Sequence, residues 1–93
     1  MPVARHTCFD VRPDVHTRAF QDELVVLDLN AGEYFSLDAF GARVWRELSK
    51  GARLGEVVSL LSLDYDVEVS RLEADLVAFA EELIRRRLMV ERI

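Results

Sequence analysis

The sequence is short of several things, and each shortage removes a class of protein. Cys8 is its only cysteine, so no internal disulfide can form and a reducing compartment is favoured. No apolar run approaches the roughly 20 residues needed to cross a bilayer. The first residues, "MPVARHTCFDVRPD", contain no apolar signal core. These features lead us to expect a cytoplasmic protein. Positive charge is also scarce: 12 Lys and Arg stand against 17 Asp and Glu, for a net charge of −5. A general nucleic-acid binder needs a surplus of Lys and Arg on one face, so this balance argues against that class. There is no G-x-S-x-G, no P-loop and no dinucleotide fingerprint. Internal repeats and low-complexity tracts are absent as well.

What is present fits one small folded domain. The chain has 93 residues, 51% of them hydrophobic and 31% charged, which suits a globular chain with a small core rather than a disordered one. Residues 1–14 show no clean period and contain Pro2 and Pro13. They read as a loose N-terminal arm or a short added strand, with the domain itself taken as residues 15–93. "VHTRAF" (15–20) and "LVVLDL" (24–29) suit two strands joined by a polar turn. "NAG" (30–32) suits a three-residue hairpin loop with Gly32 in the left-handed position. "EYFSL" (33–37) is then a third strand, giving an antiparallel meander.

Three helices follow. Asp38 stands where an N-cap belongs, and Phe40, Val44 and Leu48 recur at i, i+4, i+8 behind it. Trp45 beside them reads as a core anchor, and Gly51 marks the helix end. Leu54, Val57, Val58 and Leu61 mark a short second helix, and "DYDVEV" (64–69) a linker. "SRLE" (70–73) has the form of a capping box, with Ser70 and Glu73 as its partners. Behind it Leu72, Leu76, Phe79 and Leu83 form a stripe, widened by Val77, Ala80 and Ile84. At 100° per residue the apolar arc is roughly 160° wide, against about 100° for a helix that only covers a core. Such width means deeper burial or one flank facing a second apolar surface. "LMV" (88–90) suits a short closing segment. The charges of this last helix, acidic early and basic late at Arg85, Arg86 and Arg87, complement its dipole. The fold class is therefore α+β, winged helix-turn-helix-like, with a three-stranded antiparallel sheet followed by three helices.

Little in the chain suggests chemistry. His6, Cys8, Asp10 and His16 are all possible metal ligands, but their spacing matches no structural zinc pattern. Cys8 as a nucleophile would want a basic or helix-terminal setting, and His6 alone is weak support for one. No catalytic residue, metal or cofactor is expected. DNA reading would need exposed Arg, Lys, Asn or Gln in the first turns of a recognition helix, whereas the third helix begins with Glu73 and Asp75.

An ordered set of segments gives a more specific expectation. "VVLDLNAGEYFSLDAFGARVWRELSKGARLGEVVSLLSLDYDV" followed by "LEADLVAFAEELIRRRLMV" resembles the PqqD-like family, the RiPP recognition elements, over roughly residues 15–90. The residues that carry the resemblance are Val26 to Leu29, Gly32, Tyr34 and Phe35, Leu37 and Asp38, Val44 and Trp45, Val57 and Val58, then Asp75, Phe79, Leu83 and Leu88. Arg87 departs from the pattern, which often has Gly just before the final Leu. The resemblance implies a non-catalytic module that binds the leader segment of a ribosomally made precursor peptide. The leader adds as a strand to the third strand and lies in a groove against the third helix. A free-standing chain of this length looks most like the discrete leader-binding proteins of lasso-peptide clusters, which work beside a separate leader peptidase and a cyclase. Leaders there often carry Tyr-x-x-Pro. The PqqD type, partner of a radical enzyme, is the alternative, and a small winged-helix DNA binder a more distant one. The peptide-binding residues implied are Glu33, Tyr34, Phe35 and Ser36 on the strand, and Leu76, Phe79, Ala80, Leu83 and Arg87 on the helix side. Which of Tyr34 and Phe35 faces the peptide is open at this level. An open edge also invites self-pairing, so a monomer or a weak edge-strand dimer is expected.

Overall fold

The computed structural model describes residues 3–92. Met1, Pro2 and Ile93, which close the expected arm and domain, lie outside that range. The element order is β1 (Cys8–Val11), β2 (Val15–Phe20), β3 (Glu23–Asp28), β4 (Glu33–Leu37), α1 (Ala39–Ser49), α2 (Leu54–Ser62), α3 (Val69–Arg85) and β5 (Met89–Arg92). None of the described helices is long and apolar enough to cross a membrane.

Strands β2, β3 and β4 form the antiparallel meander, in that order. Thr17, Val26 and Phe35 lie opposite one another across the sheet, as do His16, Leu27 and Tyr34. Side chains alternate between faces along a strand, so these two rows point in opposite directions. The first face carries the buried Val15, Leu24 and Val26. Against it pack α1 and, behind it, α2 and α3. Trp45 is 3% exposed and joins Ala42, Val44 and Leu48 in the core, in line with its reading as an anchor. Asp38 caps α1: its Oδ1 accepts the Gly41 N–H at 2.8 Å.

The β3–β4 connection is one residue longer than the expected loop. It spans residues 29–32, and Leu29 is 63% exposed rather than a strand residue. Asp28 explains the difference. Its Oδ1 accepts the N–H groups of Asn30 and Ala31 at 3.1 and 3.2 Å, and its carbonyl accepts that of Gly32 at 2.9 Å. Three donors are thus satisfied by one residue, and the chain turns directly after it. Gly32 does take the left-handed conformation, at φ 69°.

The N-terminal segment is built into the fold rather than loose. β1 pairs antiparallel with β5, Cys8 opposite Arg92 and Val11 opposite Met89. Of the two readings of this segment, the structure has the added strand. Phe9 is 1% exposed and Val3 7%, both within the core cluster. The residues between them serve α2, whose first N–H groups have no partner inside the helix. Those of Leu54 and Gly55 donate instead to the carbonyls of Thr7 and Arg5, at 3.0 and 2.8 Å. A boundary at residue 15 therefore coincides with no break in packing.

The capping box at Ser70 does not form. The Leu72 N–H donates to the carbonyl of Glu68 at 2.9 Å, which makes Glu68 the N-cap and leaves Ser70 as the second helical residue. Glu73 turns instead to Arg5 of the N-terminal segment, 3.3 Å away. At the other end α3 closes in a Schellman motif. The Leu88 N–H donates to the Leu83 carbonyl and the Arg87 N–H to that of Ile84. The motif needs a left-handed residue after the cap, and Arg87 fills that place at φ 60°. This is the position where the sequence departs from Gly.

Candidate functional site

In the three-stranded sheet, β4 is bonded to β3 on one side and to no described strand on the other. β2 has an open edge too, but among the described residues β4 is the edge strand packed against a helix. Two side-chain contacts fix that relation. Phe40, just beyond the end of β4, meets Tyr65, just before α3, edge to face with ring centroids 5.2 Å apart. Arg86, just past the end of α3, sits over the ring of Phe35 in the middle of β4, its Cζ 4.6 Å from the centroid. So α3 runs alongside β4 in the opposite direction. Between them lies an open shelf with a free backbone edge along one side and a helix along the other.

Sheet alternation settles the orientation of the two aromatics. Phe35 shares its face with the buried Val26 and turns toward α3, where it packs against the core. Tyr34 lies on the opposite, outer face and is 70% exposed. Glu33 and Ser36 are exposed on the same strand. On α3 the expected residues separate. Leu76 and Ala80 are wholly buried and Leu83 is 3% exposed, so these three form the floor under the shelf rather than a wall that a ligand would touch. Phe79 is half-buried. It lies seven residues before Arg86, two turns up the same stripe, which puts it on the flank facing β4. The wide apolar arc thus has a buried centre with a half-buried flank on each side, Phe79 on one and Val77 and Ile84 on the other. Arg87 stands off this flank. It lines a depression of about 250 Å³ at the beginning of β4, together with Arg12, Asp14, Asp28, Asn30 and Ala31.

Arg86 is the site residue the sequence did not single out. Its Nε donates to Glu82 Oε2 at 2.5 Å, and Arg85 bonds the other oxygen of the same carboxylate. The hydrogen bond from Arg86, with Arg85 adding its charge, holds the Glu82 carboxyl below the usual glutamate range. Held by Glu82 on one side and by the Phe35 ring on the other, the guanidinium closes one end of the shelf. No local signal points to this, because Phe35 and Arg86 are 51 positions apart in the chain. The other end is held by Arg43, which pairs with Asp64 at 2.5 Å and lies 5.9 Å from the Tyr65 centroid.

The remaining candidate chemistry is dispersed. Asp10 is taken up by Arg92 at 2.6 Å, and that hydrogen bond lowers its pKa. Cys8 lies two residues away on β1, and His16 is on the outer face of β2. Among the described residues no three His, Cys, Asp or Glu side chains are grouped to hold a metal. What the arrangement offers is an unpaired strand edge, a part-apolar wall and a fixed guanidinium. Those are means of holding an extended chain.

Comparison with known proteins gives three findings. The family model described as coenzyme PQQ synthesis protein D (PqqD) matches residues 23–89. Two solved structures share the fold. One is TbiB1 in complex with the TbiA(beta) leader peptide, 35% identical, with 86% of this chain and 93% of that one covered and a TM-score of 0.82. The other is lasso peptide synthetase B1 complexed with the leader peptide, 27% identical, with 88% and 96% covered and a TM-score of 0.83. Curated proteins give no match.

Proposed function

Because the chain belongs to the PqqD family, we propose that it is a RiPP recognition element that binds the leader segment of a lasso-peptide precursor. It acts in the cytoplasm as a non-catalytic module that presents the bound precursor to a separate leader peptidase and cyclase. The observation that carries this reading is the free edge of β4 beside α3, with Phe35 turned into the gap and Arg86 over it. Two relatives of the same fold are leader-peptide complexes of lasso systems, which favours the lasso reading over the PqqD-type partner of a radical enzyme.

The binding mode is strand addition. Main-chain bonds along Glu33 to Ser36 supply affinity, and alternate leader side chains enter the gap between Phe35 and Phe79. The leader side chains between them lie on the outer face beside Tyr34. Leu76, Ala80 and Leu83 act from beneath, by setting the height of the shelf.

The test is fluorescence anisotropy with the labelled leader of a short precursor encoded beside this gene. Phe79→Ala is expected to weaken binding at least tenfold, about 1.4 kcal/mol, with a smaller loss of folding stability because the ring is only half-buried. A charge at Tyr34 is expected to weaken binding with almost no change in stability. Unchanged affinity in both variants would reject the shelf as the binding site.

A further inference from the structure

Strand addition by itself leaves two quantities undetermined. Backbone groups are alike at every residue, so an edge accepts a strand in either direction. A slip of two residues also returns the same side chains to the same face. Direction and register must be set by groups other than the backbone, and charge is a usual means.

The two ends of the β4–α3 shelf differ in charge. At the end where β4 finishes, residues 64–75 contain Asp64, Asp66, Glu68, Glu73 and Asp75 against Arg71 alone. That stretch holds −4 of a total of −5. Asp64 is neutralised by Arg43 and Glu73 by Arg5, both from other elements. Asp66, Glu68 and Asp75 make no ion pair among the described residues and surround a shallow depression with Val67 and Arg71. At the end where β4 starts, one carboxylate, Glu82, is shared by two guanidiniums, Arg85 and Arg86. Arg86 is the one on the shelf, 46% exposed. In the depression beyond it Arg12 and Arg87 are balanced by Asp14 and Asp28, and exposed Glu33 opens β4, so this end is close to neutral as a whole, with Arg86 as the cation placed on the shelf.

On the reading of this shelf as a peptide site, we propose that its charge polarity fixes the direction and register of the bound strand. An acidic side chain of the peptide lies at Arg86, and a basic one lies beside Asp66, Glu68 and Asp75. Asp75 on α3 and Arg86, the C-cap of the same helix, are eleven residues apart, roughly 16 Å at 1.5 Å per residue. An extended peptide covers that in about five residues at 3.3 Å each, and in about eight if it reaches Asp66 and Glu68. The existing sheet is antiparallel throughout, and antiparallel pairing is the more stable per residue. An antiparallel peptide begins where β4 ends. Its basic residue therefore precedes its acidic one, at a spacing of about five to eight.

The experiment is selection from a phage-displayed random 12-residue library on the immobilised chain, with anisotropy on the enriched peptides. The expected result is enrichment of an apolar alternation with Lys or Arg about five to eight positions before Asp or Glu. Selection on Arg86→Gln should lose the acidic preference and keep the basic one, and Arg86→Lys should restore it. The combined Asp66→Asn, Glu68→Gln and Asp75→Asn variant should do the converse. Exchanging the two charges of an enriched peptide should weaken binding at least tenfold at low salt, and less as salt rises. Enriched peptides without a charge preference, or the same preference on Arg86→Gln, would overturn the polarity while leaving the shelf as a peptide site. A library that yields no binder would overturn the peptide-site reading and the polarity with it.

Discussion

Replacing Phe9 by Ala tests whether the first residues belong to the working domain. Phe9 is 1% exposed and is among the largest fully buried side chains. Truncating such a ring removes its transfer free energy and leaves a cavity, about 3–5 kcal/mol in all. A domain of this size has about 5–15 kcal/mol in total. At about 4–8 °C per kcal/mol, the midpoint should fall by roughly 12–40 °C. Phe9→Leu keeps most of the volume and should cost no more than about 1.5 kcal/mol. His6→Ala, on the exposed part of the same segment, should stay within about 0.5 kcal/mol.

The assay is urea unfolding for the free-energy change, read from the midpoint at constant slope, and a thermal melt for the shift in °C, both followed by circular dichroism. The effect should also reach the shelf. β1 pairs with β5, and β5 follows directly from the turn that ends α3. Loosening β1 therefore loosens the anchor of Arg86, and leader affinity should fall along with stability. If Phe9→Ala unfolds within 0.5 kcal/mol of the parent, the segment is a loose arm after all and the packing described for β1 is wrong.

Two further outcomes follow from the end of α3. Arg87→Gly should raise stability by about 0.5–1 kcal/mol, since a left-handed side-chain residue costs roughly 1–2 kcal/mol and the added chain entropy of Gly takes back about 0.5–1; a midpoint gain of about 2–8 °C is expected, none in Arg87→Ala, and a fall in Arg87→Gly would refute the strain. A carboxyl held below its unfolded pKa, as Glu82 is, contributes fully above the unfolded value of about 4.3 and loses that contribution as pH falls through the lowered folded value. In an NMR titration the Phe35 ring and the Arg86 Nε–H should therefore shift together only below the usual glutamate range, and not at all in Glu82→Gln; a midpoint at or above 4.3 would contradict the pairing.

The parts of this fold that sequence made legible are those with local causes. The Asp38 cap, the alternation of β2 to β4, Gly32 in its turn and Trp45 in the core each depend on neighbours within a few residues. The parts that were not legible depend on distant ones. Ser70 and Glu73 have the form of a capping box, but Arg5 draws Glu73 away and the N-cap lies two residues earlier, at Glu68. Phe9 and Val11 needed β5 to become a strand. Arg86 acquires its role only when Phe35 is brought beneath it. Within α3, the pattern marked a wide apolar arc but could not separate the floor residues Leu76 and Ala80 from the flank residue Phe79, because both kinds are apolar and only the packing of β4 distinguishes them.

That distinction bears on how such a site persists with an unpaired edge. A long, flat and apolar edge strand is a target for unwanted pairing. β4 is only five residues long and begins with exposed Glu33. Phe35, its most apolar side chain, is turned inward and covered by the Arg86 guanidinium. The cover is itself charged and tied to Glu82, so it shields the ring from a second copy of the chain without adding apolar surface. On the proposed binding mode, an incoming peptide meets that guanidinium before it reaches Phe35. The group that protects the edge when it is empty is thus the one placed to select what fills it.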